Sequence, residues 1–361
     1  MSRKYQDNYY SFHTAIGAQF NAFILKEFKG RPDWDDLQYL YKKFLKTKMG
    51  TAHQRVTLVF IAAKLFGVDT EKYHDEIMKL AAAPELLIWS EYAFNWAIDG
   101  KNNISGTKYE ENIDLITSQY LLTEVTNFLP DRMMKRYLEI YRWEVFGCLT
   151  VDRDLCLTNW NKLRKWEDFW NVYSNKHIFP DVGYLYAYCL EIVREYFQIP
   201  VEQEVIDKLF RIGCELGRGV QINGDLSDFM IPNNLISTTE KRPDKDYFID
   251  IRTNRLTYPT WLLLDYSEKN DPELFAELIK SAEDRAYPNE QFYFKVHDCL
   301  QQQEMIQKIL AFLRAEQERL TLEIKALPLN QAGIDLLLGA IEILTHNKFQ
   351  RQIEKDFQIE Y

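Results

Sequence analysis

A chain of 361 residues, 46% hydrophobic and 27% charged, carries enough apolar surface to bury a large core. Its net charge of −10 excludes a nucleic-acid partner held on a basic face. No run approaches a membrane span, and the opening MSRKYQDNYY lacks an apolar signal core, so a cytoplasmic location is expected.

The five cysteines, Cys148, Cys156, Cys189, Cys214 and Cys299, form no C-x-x-C pair and are odd in number. They read as reduced, mostly buried thiols. The six histidines are scattered, which argues against a zinc site. Aromatic residues make up 14% of the chain. They fit either a helical core rich in Phe and Tyr or the walls of a deep cavity.

Helical periodicity dominates from end to end, and strand alternation is scarce. Residues 8–29 give the first predicted helix, and 34–46 the second, with Asp33 or Asp35 as its cap after Pro32. Residues 51–67 form a strongly apolar helix that stops at Gly67. Residues 69–83 make the next helix, ending near Pro84. The following helix, 85–103, repeats a polar residue every four positions: Glu91, Asn95, Asp99 and Asn103. That spacing gives a polar stripe on an otherwise apolar helix, either a solvent-facing strip or the wall of a polar-ended cavity.

Residues 109–127 and 131–152 are two long predicted helices. Residues 159–175 continue as helix with Trp160, Trp166 and Trp170, and Phe179 and Pro180 open another, which carries Tyr184. A helix over 201–228 runs into a long polar loop, 229–257, and loops of that length inside a domain are usually functional. Further helices follow over 258–327, and a last one over 329–353. The expected architecture is a single all-α domain over 1–361. It has a lid-like loop at about 229–257 and a helical C-terminal extension at about 329–361.

The stretch from Phe210 to Pro259 concentrates the chemistry. It holds Gly213, Gly217, Gln221, Asp225, Asp228, Asp250, Arg255, Thr257 and Pro259. The spacing of Asp225 and Asp228 places both carboxylates on one helix face, an arrangement suited to a hard cation such as Mg²⁺. Arg255 adds a positive charge for an anion.

These residues resemble the second aspartate-rich region of the trans-isoprenyl diphosphate synthases and their terpene-cyclase relatives. That pattern runs G-x-x-x-G-x-x-x-Q-I-x-D-D-x-x-D, a loop, then D-x-x-x-x-K-x-T-x-P. Here Gly224 replaces the first aspartate and Arg255 the lysine. The resemblance spans roughly residues 45–265. Asp99 and Asn103 fall on the family's first D-D-x-x-D motif, of which only the first carboxylate is kept. The cations that grip isopentenyl diphosphate are reduced to Arg55, with Ala52 and His53 in place of the lysine and first arginine. An R-R-G is absent after the first motif, where only Lys108 stands. Lys176 occupies the place of a lysine that contacts the allylic diphosphate; taken alone, it reads as an exposed lysine at a helix end.

The resemblance implies an isoprenoid-synthase-type helical bundle around a central cavity, commonly dimeric. It also implies a prenyl diphosphate substrate and Mg²⁺ as cofactor. Asp99, Asn103, Asp225 and Asp228 are the implied catalytic residues, with Asp99, Asp225 and Asp228 as metal ligands. Lys176, Gln221, Arg255 and Arg55 are the implied diphosphate contacts, and Phe94, Trp96, Phe179 and Tyr184 the cavity walls, with Tyr258 and Trp261 as further aromatic faces. Losing the co-substrate cations while keeping the allylic site points to a divergent class I terpene synthase. The alternatives are chain elongation by a prenyltransferase and a noncatalytic subunit of a partner synthase.

Overall fold

Helix follows helix along the chain. The computed structural model describes residues 3–46, 53–99, 108–229, 248–283 and 290–344. Asn103 and most of the expected lid, 230–247, lie outside the described residues, as do 345–361.

The elements are α1 (Arg3–Lys29), α2 (Trp34–Leu40) with a π turn at Tyr41–Leu45, α3 (Gln54–Leu65), α4 (His74–Asp99), α5 (Lys108–Glu124) and α6 (Asp131–Arg153). Two short helices come next, α7 (Trp160–Leu163) and α8 (Trp166–Trp170), then a π-helix (Asn171–Gly183), α9 (Tyr184–Phe197) and α10 (Gln203–Ser227). The chain ends with α11 (Ile249–Arg252), α12 (Tyr258–Asn270), α13 (Pro272–Glu283), α14 (Glu290–Gln302), α15 (Met305–Lys325) and α16 (Gln331–Leu344). Among the described residues the only β-type pairing is an isolated antiparallel bridge between Cys156 and Arg255. The all-α expectation therefore holds, and the five cysteines are free thiols. No described helix is long and apolar enough to cross a membrane.

The chain divides into two compact units. Among the described residues, the first comprises 3–46, 53–99, 108–141, 185–213 and 324–340. Its centre is α3, with Val56 to Ala63 all buried. Gly333 of α16 lies so close to α3 that an added Cβ would come 2.3 Å from the Leu65 nitrogen. The Asn330 N–H meanwhile donates to the Leu65 carbonyl at 3.0 Å. Through Ile334, Leu337 and Leu338, which are buried, α16 thus contributes to the core of this unit.

Helix α4 runs through Pro84, where a break was expected. Proline inside a helix forfeits a backbone bond at a cost of about 3 kcal/mol. Here Leu80 to Trp89 are buried, and packing on all sides offsets that loss.

Among the described residues, the second unit comprises 142–184, 214–229, 248–283, 290–323 and 341–344. Its core is aromatic: Trp166, Phe169, Trp170, Tyr173, Tyr258 and Trp261 form a contiguous set of stacked and edge-on rings. The continuous helix predicted over 159–175 is broken at Lys165, which is extended. The break releases the Leu163 carbonyl to accept the Trp261 indole N–H at 2.8 Å. Beyond α8 the chain opens no new helix at Phe179 and Pro180, where the sequence predicts a start. It widens into the π-helix, whose larger turn carries a residue with no N–H to donate and leads directly into α9.

Candidate functional site

The second unit brings the later candidates together. Near the end of α10, Asp225 is 5% exposed, and both of its carboxylate oxygens are engaged. The Tyr173 hydroxyl of the π-helix donates to Oδ2 at 2.5 Å, and the Gln221 amide, one turn back on α10, donates to Oδ1 at 2.8 Å. Burial, with the like charges of Asp250 and Asp228, lifts the Asp225 carboxyl well above the usual carboxylate range, although the bonds from Tyr173 and Gln221 act in the opposite sense. Burial and the charge of Asp225 likewise raise the Tyr173 phenol.

Asp228 does not continue the helix. It lies one residue beyond Ser227, in the turn where its carbonyl accepts the Phe248 N–H at 3.1 Å. The expected shared helix face therefore ends at Asp225.

Asp250, in α11, is buried and accepts the Thr257 hydroxyl at 2.9 Å. Thr257 caps α12 in a reciprocal box with Thr260, and Pro259 occupies the first turn. The aspartate, threonine and proline of the sequence pattern thus build a helix start. Arg255 is half-buried, its backbone N–H held by the Asp250 carbonyl at 2.7 Å. Its charge reaches His177 and, after burial, helps lower the pKa of that imidazole to about 4.

Lys176, beside His177 on the π-helix, is exposed. Phe179 is half-buried with the Arg218 guanidinium 5.4 Å from its ring centroid, and Tyr184 meets Trp143 edge-on at 5.9 Å. Sequence reasoning missed Arg218. Its guanidinium also lies over Trp170 and Phe312 and pairs with Glu215 and Glu316. The available signal was a lone cation between the buried Leu216 and Ile222 of an amphipathic helix.

In the first unit the expected co-substrate grip is committed elsewhere. His53 is 1% exposed; its Nδ1 lies 2.8 Å from Glu85 Oε1 and its Nε2 2.8 Å from Asn21 Oδ1. Glu85 also accepts the Trp89 indole N–H at 3.0 Å. Arg55 is 9% exposed, with its guanidinium over the Tyr186 ring at 5.1 Å. Asp99 is the last residue of α4, Trp96 is half-buried and Phe94 is exposed at 40%.

The Mg²⁺ that the resemblance implies does not fit Asp225 as placed, because its oxygens are buried and bonded to neutral donors. Among the described residues, the ligand atoms of Asp225, Asp228 and Asp250 do not converge within 4.8 Å as a set. One ion with oxygen ligands at about 2.1 Å requires such convergence.

No family model matches the chain, and no curated protein matches it in sequence. Solved structures do match. A polyprenyl synthase from Caulobacter crescentus CB15, complexed with calcium and isoprenyl diphosphate, is 16% identical with a TM-score of 0.73, over 94% of this chain and 97% of that one. A decaprenyl diphosphate synthase from Rhodobacter capsulatus is 15% identical with a TM-score of 0.70, over 92% and 98%. A heptaprenyl diphosphate synthase from Staphylococcus aureus is 17% identical with a TM-score of 0.65, over 93% and 98%. Identities this low speak for architecture alone, and in architecture the chain is built as the trans-isoprenyl diphosphate synthases are built.

Proposed function

We propose that this chain binds a single prenyl diphosphate and converts it, with loss of diphosphate, to a cyclic terpene, using no isopentenyl diphosphate. The observation that carries the reading is the commitment of the co-substrate positions. His53 is bonded at both ring nitrogens, and Arg55 is buried against Tyr186. Each missing charge-assisted contact to a second diphosphate removes about 1.5–3 kcal/mol of binding. The prenyl class of substrate is supported by the fold, and by the isoprenyl diphosphate bound in the Caulobacter synthase.

On this reading Lys176 and Arg255 meet the diphosphate, and the aromatic side chains shelter the allylic cation left behind.

Two other readings each have an observation in their favour. The solved neighbours named above are polyprenyl, decaprenyl and heptaprenyl synthases, which favours elongation. The engagement of Asp225 by Tyr173 and Gln221 favours a noncatalytic partner of a second synthase.

One experiment separates the three. The purified chain is incubated with C10 to C25 prenyl diphosphates and Mg²⁺, with and without isopentenyl diphosphate, and the products are read by mass spectrometry. The expected result is a terpene hydrocarbon or alcohol from one diphosphate alone. Longer diphosphates formed only when isopentenyl diphosphate is added would establish elongation instead. No product from folded protein that binds a second synthase tightly would establish the partner role.

The resemblance also implies a homodimer. Helix α5 supports one: Leu115 and Ile116 are 38% and 59% exposed, side by side on its surface. Ile116→Glu is expected to shift the chain from dimer to monomer in light scattering after size exclusion. An unchanged mass would remove α5 from the interface.

A further inference from the structure

The π-helix between α8 and α9 needs support from outside. A π ladder is rare in proteins, and this one includes Pro180, which has no N–H to donate. Its closing bond runs from the Tyr184 N–H to the Phe179 carbonyl, five residues back. An ordinary α-helix cannot replace it locally, because the Pro180 ring would meet the carbonyl four residues back, that of Lys176. Contacts with other elements must hold these residues in the wider turn.

Arg218 of α10 supplies them. Its side chain is 11% exposed. Its Nη1 donates to the Ser174 Oγ at 3.3 Å, and the guanidinium lies 5.4 Å from the Phe179 ring centroid and 5.5 Å from that of Trp170. On an α-helix, residues five apart, as Ser174 and Phe179 are, turn about 140° from one another. The i→i+5 register of a π-helix brings them onto one face instead. One guanidinium therefore touches both only while the wide turn persists. On its other side Arg218 pairs with Glu215 of its own helix and with Glu316 of α15, whose Oε2 lies 2.5 Å from Nη2. The planar fork serves all these partners at once, which the point charge of a lysine could not.

Lys176 lies between the two held residues, about half a turn on from Ser174 and so away from the guanidinium. It is exposed. We infer that Arg218 is a positioning residue: it pins the π turn from Ser174 to Phe179 and thereby fixes where Lys176 presents its ammonium to an anionic ligand. Arg218 acts through the backbone of the π-helix, without touching that ligand. That Lys176 meets a diphosphate is the reading proposed above, on which the chemical consequence rests; the hold on the turn stands without it.

Hydrogen exchange and pyrophosphate binding, both on the full-length protein, test the two steps separately. Arg218→Met keeps an apolar chain and removes the fork. Its amides from 174 to 183 are expected to exchange at least about tenfold faster, with those of α13 unchanged. Ser174→Ala removes only the hydrogen bond, so it should give a smaller change of the same kind, and it decides the matter if Arg218→Met does not fold. Affinity for inorganic pyrophosphate, measured by calorimetry, is expected to fall about tenfold in Lys176→Met. In Arg218→Met it should fall at least about threefold, and in the Lys176→Met background Arg218→Met should cost nothing further.

Unchanged exchange over 174–183 in folded Arg218→Met, or in Ser174→Ala, would overturn the hold on the turn. Faster exchange with pyrophosphate affinity kept in Arg218→Met, where Lys176→Met loses it, would overturn the positioning role and leave Arg218 a structural residue. Losses that add in the double variant would overturn it as well, since Arg218 would then act on the anion directly. Pyrophosphate bound equally by the wild type and Lys176→Met would instead remove Lys176 from the diphosphate reading, and the positioning role with it, while the exchange data still decide the hold.

Discussion

Alanine at Gly213 is expected to destabilise the protein by about 3 kcal/mol, against the sign that helix propensity alone predicts. In an open helix, Gly→Ala gains about 0.5–1 kcal/mol. At Gly213 the new Cβ lands 2.4 Å from the Ala187 Cα and 2.7 Å from its nitrogen. These are backbone atoms of α9, which no rotamer change can move aside. Relief requires separating two helices, and a gap of even 0.5–1 Å forfeits a quarter to a half of each dispersion contact along the seam. Gly217 behaves alike within the second unit, its Cβ 2.8 Å from the Cα of Gly183. Gly224→Ala supplies the control on the same helix: nothing lies within 4 Å, so it should gain stability by the propensity difference. Urea unfolding of the three variants checks the set. Gly213→Ala as stable as the wild type would show that the crossing is not close-packed in solution.

This reading changes what the spacing of Gly213 and Gly217 means. In the sequence the two glycines belong to a diphosphate-synthase pattern, and their place in it says nothing of their work. In the structure both are contact points where backbone meets backbone, so the pattern reports helix packing as much as chemistry. The same holds for Asp250, Thr257 and Pro259, which assemble the start of α12.

Locally determined features are legible in the sequence. Helical periodicity and the absence of strand alternation reflect contacts within a few residues, and so does the stop at Gly67, whose φ is +71°. The missed features depend on partners far along the chain or on hydrogen-bond register. Tyr173 reaches Asp225 across 52 residues, and Arg218 reaches Glu316 across 98. The π-helix keeps an ordinary helical composition, because widening a turn leaves no mark on residue type. The continuation of α4 through Pro84 follows from burial on every side, which a local rule about proline does not see.

His177 is 5% exposed, with its Nδ1 3.2 Å from the Gly147 carbonyl and 3.4 Å from Asp181 Oδ2. The ring of Tyr173 and the charge of Arg255 complete its surroundings. Burial is the main reason that its pKa falls from 6.5 to about 4; the Gly147 carbonyl acts against the shift, and Arg255 adds to it. Between those values the unfolded chain binds a proton that the folded chain refuses. Stability is therefore present in full above about pH 6.5 and is lost as pH falls toward 4. The distance from about 6.5 to about 4, at about 1.4 kcal/mol for each tenfold change in proton affinity, amounts to about 3 kcal/mol. Asp225 works in the opposite direction. Its raised pKa means that the folded chain holds a proton longer than the unfolded one, so stability falls as pH rises above the ordinary carboxylate range. The second unit thus carries two opposed titrations, one eroding stability toward acid and one toward base. His177→Gln is expected to flatten the acid limb of stability against pH, and Asp225→Asn the alkaline limb, each leaving the other in place. Chemical denaturation at half-unit steps from pH 4 to 8 measures both, and an acid limb unchanged in His177→Gln would assign the loss to another group.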